Sequence, residues 1–170
     1  MNGHIRVPPP VNEPNRTYAP GTTHRAALKA RLAAMSAERV EVPLVIGGRE
    51  VRTGNVGEIV SPHRHGHVLG TWHKARREDV TAAVRAAMDA RRDWSAWPFQ
   101  DRAAVFLRAA ELLATTWRDT INAATMLGQS KTVFQSEIDA ACEMADFWRF
   151  NVQFASELVA EQPISGPGVW

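Results

Sequence analysis

The sequence predicts an α+β chain, mostly helical, with an N-terminal arm, short β-hairpins and about four to five helices. Three observations predict it. From about Glu78 onward, apolar residues recur at helical spacing with little interruption. Before that, VPLVIGGREVRTG sets Gly47-Gly48 between two apolar runs, and such a pair takes the positive φ of a tight two-residue turn. Strands and helices do not alternate, so no parallel sheet is expected.

Composition narrows the function classes. At 170 residues, 45% hydrophobic and 22% charged, the chain has the makings of one globular domain with a real core. The net charge is +2, with acids and bases interspersed. There is no basic block and no aromatic-plus-basic stripe, so nucleic acid is not an expected partner. No stretch approaches the ~18 apolar residues that span a bilayer, and the first residues lack an apolar leader. The expectation is no membrane partner and a cytoplasmic location. Cys142 is the only cysteine, which rules out an intrachain disulfide.

The elements follow in order. Residues 1–21 are rich in Pro and Asn and form an extended N-terminal arm. Residues 22–38 hold the first helix, capped by Thr22 or Thr23, with Leu28, Leu32 and Met35 on a thin core face. Residues 41–74 form a β-hairpin region, with VGEIV and HVLGTWH as two further strands around the Pro62 to Gly66 loop.

Residues 75–161 form a helical segment. Its first helix has acids in the first turn and a stripe of Val80, Val84, Ala87 and Met88 expected to be buried. Pro98 suits the start of the next helix, whose apolar series runs Phe99, Ala103, Phe106, Leu107, Ala110, Leu113, Trp117. A shorter helix from Asp119 to Leu127 is expected to stop at Gly128. The longest runs from about Thr132 to Ala160 and ends before Gln162-Pro163. Residues 162–170 start a further element.

Several residues are candidates for chemistry. His63, His65 and His67 alternate, with His73 nearby, and alternation on a strand would aim three imidazoles at one metal. Gly66 interrupts the run and no acid or Cys completes a ligand set, so no metal is expected. Cys142 sits mid-helix without a His at i±3 or i±4 and reads as a structural thiol. Ser130 has no nucleophile context. On the longest helix, Phe134, Glu137, Ile138, Ala141, Ala145, Trp148, Val152, Ala155 and Val159 share one sector at ~100° per residue. Glu137 is a carboxylate set into that apolar stripe. Phe147, Phe150 and Phe154 fall on the opposite side, so this helix needs partners on two faces.

Taken together, VIGGREV, EDVTAAVRAAMDARRDWSAWPFQDRAAVFLRAAELL and MLGQSKTVFQSEIDAACEMADFWRF resemble the N-terminal part of the aldehyde dehydrogenases. The arm VPPPVNEPNRTYAPGT, the GQSKT variant and the run from EIDAACEMADFWRFNVQFA to EQPISGPG resemble the Δ1-pyrroline-5-carboxylate dehydrogenase branch, also called L-glutamate γ-semialdehyde dehydrogenases. The resemblance covers essentially the whole chain and implies the N-terminal part of an α/β aldehyde dehydrogenase fold.

It also implies an NAD-dependent enzyme of proline catabolism that oxidises glutamate γ-semialdehyde to glutamate. The family's cofactor-binding glycine motif, oxyanion Asn, general-base Glu and nucleophilic Cys have no match in residues 1–170. Catalytic and cofactor-binding residues are therefore expected to be none in this chain, and the chain alone is expected to be inactive. Its expected partners are the remainder of the dehydrogenase polypeptide or further copies of the chain. The longest helix resembles the one bordering the tunnel by which the aldehyde enters. Glu137 would then meet the amino group of the semialdehyde, with Phe134 lining the wall. The plainer account has Glu137 at a boundary, reaching water, Lys131 or Arg149. The alternative function is a free-standing, non-catalytic interaction module that binds through Phe147, Phe150 and Phe154. A metal-binding regulator built on the histidines is a third.

Overall fold

The computed structural model describes residues 7–161 and 163–168; the first six residues of the expected arm, Gln162 and the last two residues lie outside them. Residues 7–19 run extended across the helices, then turn at Pro20 and Gly21. Thr22 caps α1 (Thr23–Ala37), its hydroxyl accepting from the Arg25 N–H at 3.3 Å. Leu28 is the buried residue of α1, which packs on a later helix.

Five short strands follow: β1 (Val40–Val42), β2 (Leu44–Ile46), β3 (Arg49–Val51), β4 (Val56–Val60) and β5 (Val68–His73). β2 and β3 form the expected hairpin, and Gly47 and Gly48 take φ of 58° and 76° in its turn. β4 and β5 pair antiparallel, Val56 opposite His73. β1 was not foreseen. It lies along β5 in parallel, Val40 opposite Gly70, and corrects the expectation of no parallel pairing. Gly70 permits the approach, since a Cβ there would lie 2.1 Å from the Val40 carbonyl oxygen.

α2 (Arg77–Ala96) starts where Asp79 accepts from the Arg76 N–H at 2.8 Å. Its expected buried stripe is exposed: Val80, Val84 and Met88 are 56–59% accessible, and Ala87 is also exposed. Amphipathic spacing signals a face for a partner, but the described residues leave this one exposed. α3 (Phe99–Ala114), with Pro98 at its cap, ends at Thr115, where φ −115° and ψ −86° break the helix. Trp117 therefore leaves the α3 series and is exposed.

α4 (Arg118–Gln129) runs through Gly128 and stops at Ser130, which takes the left-handed conformation at φ 56°. The expected stop was Gly128. Thr132 and Gln135 form a capping box that starts α5 (Val133–Ser136). A π-helical segment, Glu137–Cys142, joins α5 to α6 (Glu143–Ala160). The core lies where α3 crosses α6, with Ala110, Leu113 and Ala145 packed against Ile121 and Trp148. No helix among the described residues is long and apolar enough to cross a membrane.

Candidate functional site

Arg118 opens α4 and Asn122 follows one turn later, so both point to the same buried side. Glu137 opens the π segment opposite them. Arg118 and Glu137 are each 1% exposed. The guanidinium bonds Glu137 through Nε, at 3.2 and 3.3 Å to its two oxygens, and through Nη2 to Oε1. Oε1 also accepts from the Arg16 N–H at 2.7 Å. Oε2 accepts from the Tyr18 hydroxyl at 2.8 Å and from Asn122 Nδ2 at 2.7 Å. A buried carboxylate is tolerable only with such saturation.

The same guanidinium reaches the arm. Nη1 bonds Glu13, and Nη2 donates to the Pro14 carbonyl at 2.7 Å. Glu13 also accepts from Arg149 at 2.7 Å, and Asp146 accepts from the Glu13 N–H at 2.7 Å and from Asn12 at 2.8 Å. The arm is thus fastened to α4, the π segment and α6 by charged groups.

Burial alone would raise the Glu137 carboxyl, but the bonds from Arg118, Arg16, Tyr18 and Asn122 outweigh it and hold it down to about 2. Burial, followed by the neighbouring Glu137 anion, pushes the Tyr18 hydroxyl above the ordinary phenol range. Burial works against the Arg118 charge, yet Glu137 and Glu13 raise it overall. Charges held this firmly make a scaffold rather than an acid–base pair, which works best when poised near the ambient pH.

Beside the network, a groove of about 690 Å³ runs along α6 between the arm and the Phe147, Phe150 and Phe154 side. Phe147 and Phe154 are exposed, and the Phe150 and Phe154 rings stand 6.1 Å apart. Glu13, Asp139, Glu143 and Asp146 line the groove. Four carboxylates repel a pyrophosphate, so these residues do not fit NAD.

The expected site residues separate. Phe134 is 69% exposed, whereas Glu137, three residues on in the same helical backbone, is 1% exposed. The projection assumed an unbroken α-helix, but the π segment inserts an i→i+5 turn, with the Glu143 N–H bonded to the Ile138 carbonyl. Phe134 and Glu137 both precede that turn, so it rotates the pair relative to Ala145, Trp148 and Val152 and not relative to each other. Glu137 reaches neither Lys131, which pairs with Asp139, nor Arg149, which pairs with Glu13.

Cys142 is buried against Arg118, Sγ 3.1 Å from Nη2, and burial pushes its thiol up to about 11. The histidines part company. His63 bonds Ser130 at 2.8 Å, His67 lies 3.4 Å from Ser36, and His73 bonds Glu41 at 2.8 Å. Among the described residues no three His, Cys, Asp or Glu side chains are placed to hold an ion.

Sequence reasoning missed Glu13, Arg16, Tyr18, Arg118 and Asn122. One signal was available: a carboxylate in an apolar stripe requires a buried cation, and Arg118 with Asn122 at i+4 puts two donors on one helix face.

The model of the aldehyde dehydrogenase family matches residues 50–168. The crystal structure of the Δ-pyrroline-5-carboxylate dehydrogenase from Mycobacterium tuberculosis bound with NAD and cobalamin superimposes with a TM-score of 0.96. It is 54% identical, over 100% of this chain and 32% of that one. The Δ1-pyrroline-5-carboxylate dehydrogenase of Agaricus bisporus is 47% identical, over 98% of this chain and 31% of its own length. The mitochondrial Δ1-pyrroline-5-carboxylate dehydrogenase of Dictyostelium discoideum is 45% identical, over 96% and 30%. The chain spans about a third of the length of these relatives.

Proposed function

The chain belongs to the aldehyde dehydrogenase family, and on that premise we propose that it is the N-terminal portion of an NAD-dependent L-glutamate γ-semialdehyde dehydrogenase of proline catabolism. The reaction is oxidation of the semialdehyde to glutamate, with a hydride passing to NAD. In this reading the reacting groups belong to the remainder of the polypeptide. Residues 1–170 supply the arm, the first helix, the β-hairpin region and the helical segment on the cofactor-domain side, bounded as the sequence suggests. Alone, the chain is inactive. The observation that carries the reading is the extent of the likeness, which runs through the arm, strands and helices alike.

The tunnel assignment divides in two. Phe134, exposed on α5, is available to line the path of the aldehyde. Glu137 supports that wall from behind, because both its oxygens are already occupied. The proposed location is cytoplasmic, although the Dictyostelium relative is a mitochondrial protein by name.

A second reading, a free-standing interaction module, is favoured only by the exposed Phe147 and Phe154. Reading the genomic DNA downstream of the Trp170 codon separates the two. An open frame encoding a glycine-rich phosphate loop and a nucleophilic Cys is the expected result. A stop codon with no such frame would favour the module.

A further inference from the structure

One guanidinium touches both ends of the π segment and the arm at once. Arg118 bonds Glu137, the first residue of the segment, and lies 3.1 Å from the Sγ of Cys142, the last. In an α-helix these two positions would lie ~140° apart around the axis at ~100° per residue. A turn closed by an i→i+5 bond brings them to one side, within 3.8 Å of each other. Through Nη1 and Nη2 the same group holds Glu13 and the Pro14 carbonyl. π turns are uncommon and occur mostly where neighbouring groups favour them. Here the favouring groups come from another helix and from a segment more than a hundred residues away in sequence.

We propose that Arg118 is a positioning residue that makes arm docking and the π turn one cooperative unit, and through it sets the rotation of α5 that turns Phe134 outward. Phe134 stands three residues before Glu137 in continuous helical backbone, so Phe134 and the first residue of the π segment turn together about the axis. An arm that let go would allow the segment to relax toward α geometry and swing Phe134 around the axis. Only the kinetic consequence rests on the proposed dehydrogenase reading. The coupling itself concerns residues of this chain.

Amide hydrogen exchange of the 170-residue chain tests it, comparing the unmodified protein with Glu13→Gln and Arg118→Met. Glu13→Gln leaves the Arg118–Glu137 pair in place and weakens only the arm's hold. The expected result is exchange about tenfold faster or more in residues 12–18 and, by a like factor, in residues 137–142, with α3 unchanged. Faster exchange in the arm alone, or in neither segment, would overturn the proposal. Arg118→Met is expected to release both segments; if it unfolds the whole chain, Glu13→Gln decides.

The kinetic arm uses the chain joined to the remainder of a dehydrogenase. There Glu13→Gln is expected to raise KM for the semialdehyde severalfold with kcat little changed. A coupled exchange response without any dehydrogenase activity in the unmodified fusion would sink the functional reading and leave the coupling standing.

Discussion

Arg118 and Glu137 face each other in the interior, nineteen residues apart in sequence, with neither side chain open to water. Breaking such a pair leaves one charge buried and unpaired, which costs more than the pair contributes.

Arg118→Met is therefore expected to destabilise the fold by about 3–5 kcal/mol. The double variant Arg118→Met/Glu137→Leu is expected to cost clearly less than the sum of the single changes, because no unpaired partner remains. Urea denaturation of the four proteins measures the coupling. Simple additivity would show that the two groups act independently.

Acid should loosen the network. The folded-state value of Glu137, about 2, lies below its ordinary 4.5, despite burial working to raise it. Its contribution is thus complete above about pH 4.5 and is lost as the pH falls from there through about 2. Burial likewise works to raise Glu13, but Arg149 and Arg118 hold it below its usual value, so it acts in the same direction. Stability measured from pH 6 to 2 is expected to fall by a few kcal/mol over the acid limb, and Glu137→Gln to flatten that limb. An identical acid limb in both proteins would contradict the assignment.

The thiol of Cys142 gives a third check. Burial, with the surrounding carboxylates, holds it near 11 although Arg118 opposes them. Alkylation by iodoacetamide near neutral pH should run at least about a hundredfold slower in the folded chain than in urea. Rapid labelling of the folded protein would show that the thiol is activated.

Exposed apolar surface on α2 predicts association. Val80, Val84 and Met88 form one face that the described residues leave exposed. The isolated chain should bind a hydrophobic dye and form oligomers, and Val84→Asp should reduce both without lowering the melting temperature. A monomer that binds no dye would remove this face as an interaction surface.

The parts of the fold readable in the sequence were those governed by local chemistry. Gly47-Gly48 announced its hairpin because positive φ at two successive residues suits few others. Thr22 announced α1 by its capping oxygen. What stayed hidden depended on distant partners. The π segment carries no composition signal, and it rotates Phe134 and Glu137 away from the register in which the sequence projected them onto Ala145, Trp148 and Val152. Arg118 reads as a surface residue until Glu13, Pro14 and Glu137 converge on it. The α2 stripe was rightly apolar, but periodicity does not reveal whether the partner lies within the chain. Trp117 kept the spacing of α3, yet the backbone had already broken at Thr115.

The central claim is that these residues provide framework and not chemistry for oxidation of glutamate γ-semialdehyde. The most direct measurement joins this chain to the remaining two-thirds of the Mycobacterium tuberculosis relative in place of that enzyme's own matching segment. Reduction of NAD by the semialdehyde is then followed for the fusion and for the chain alone. The account predicts turnover by the fusion and none by the chain. Turnover by the chain alone, or a folded fusion with no turnover, would contradict it.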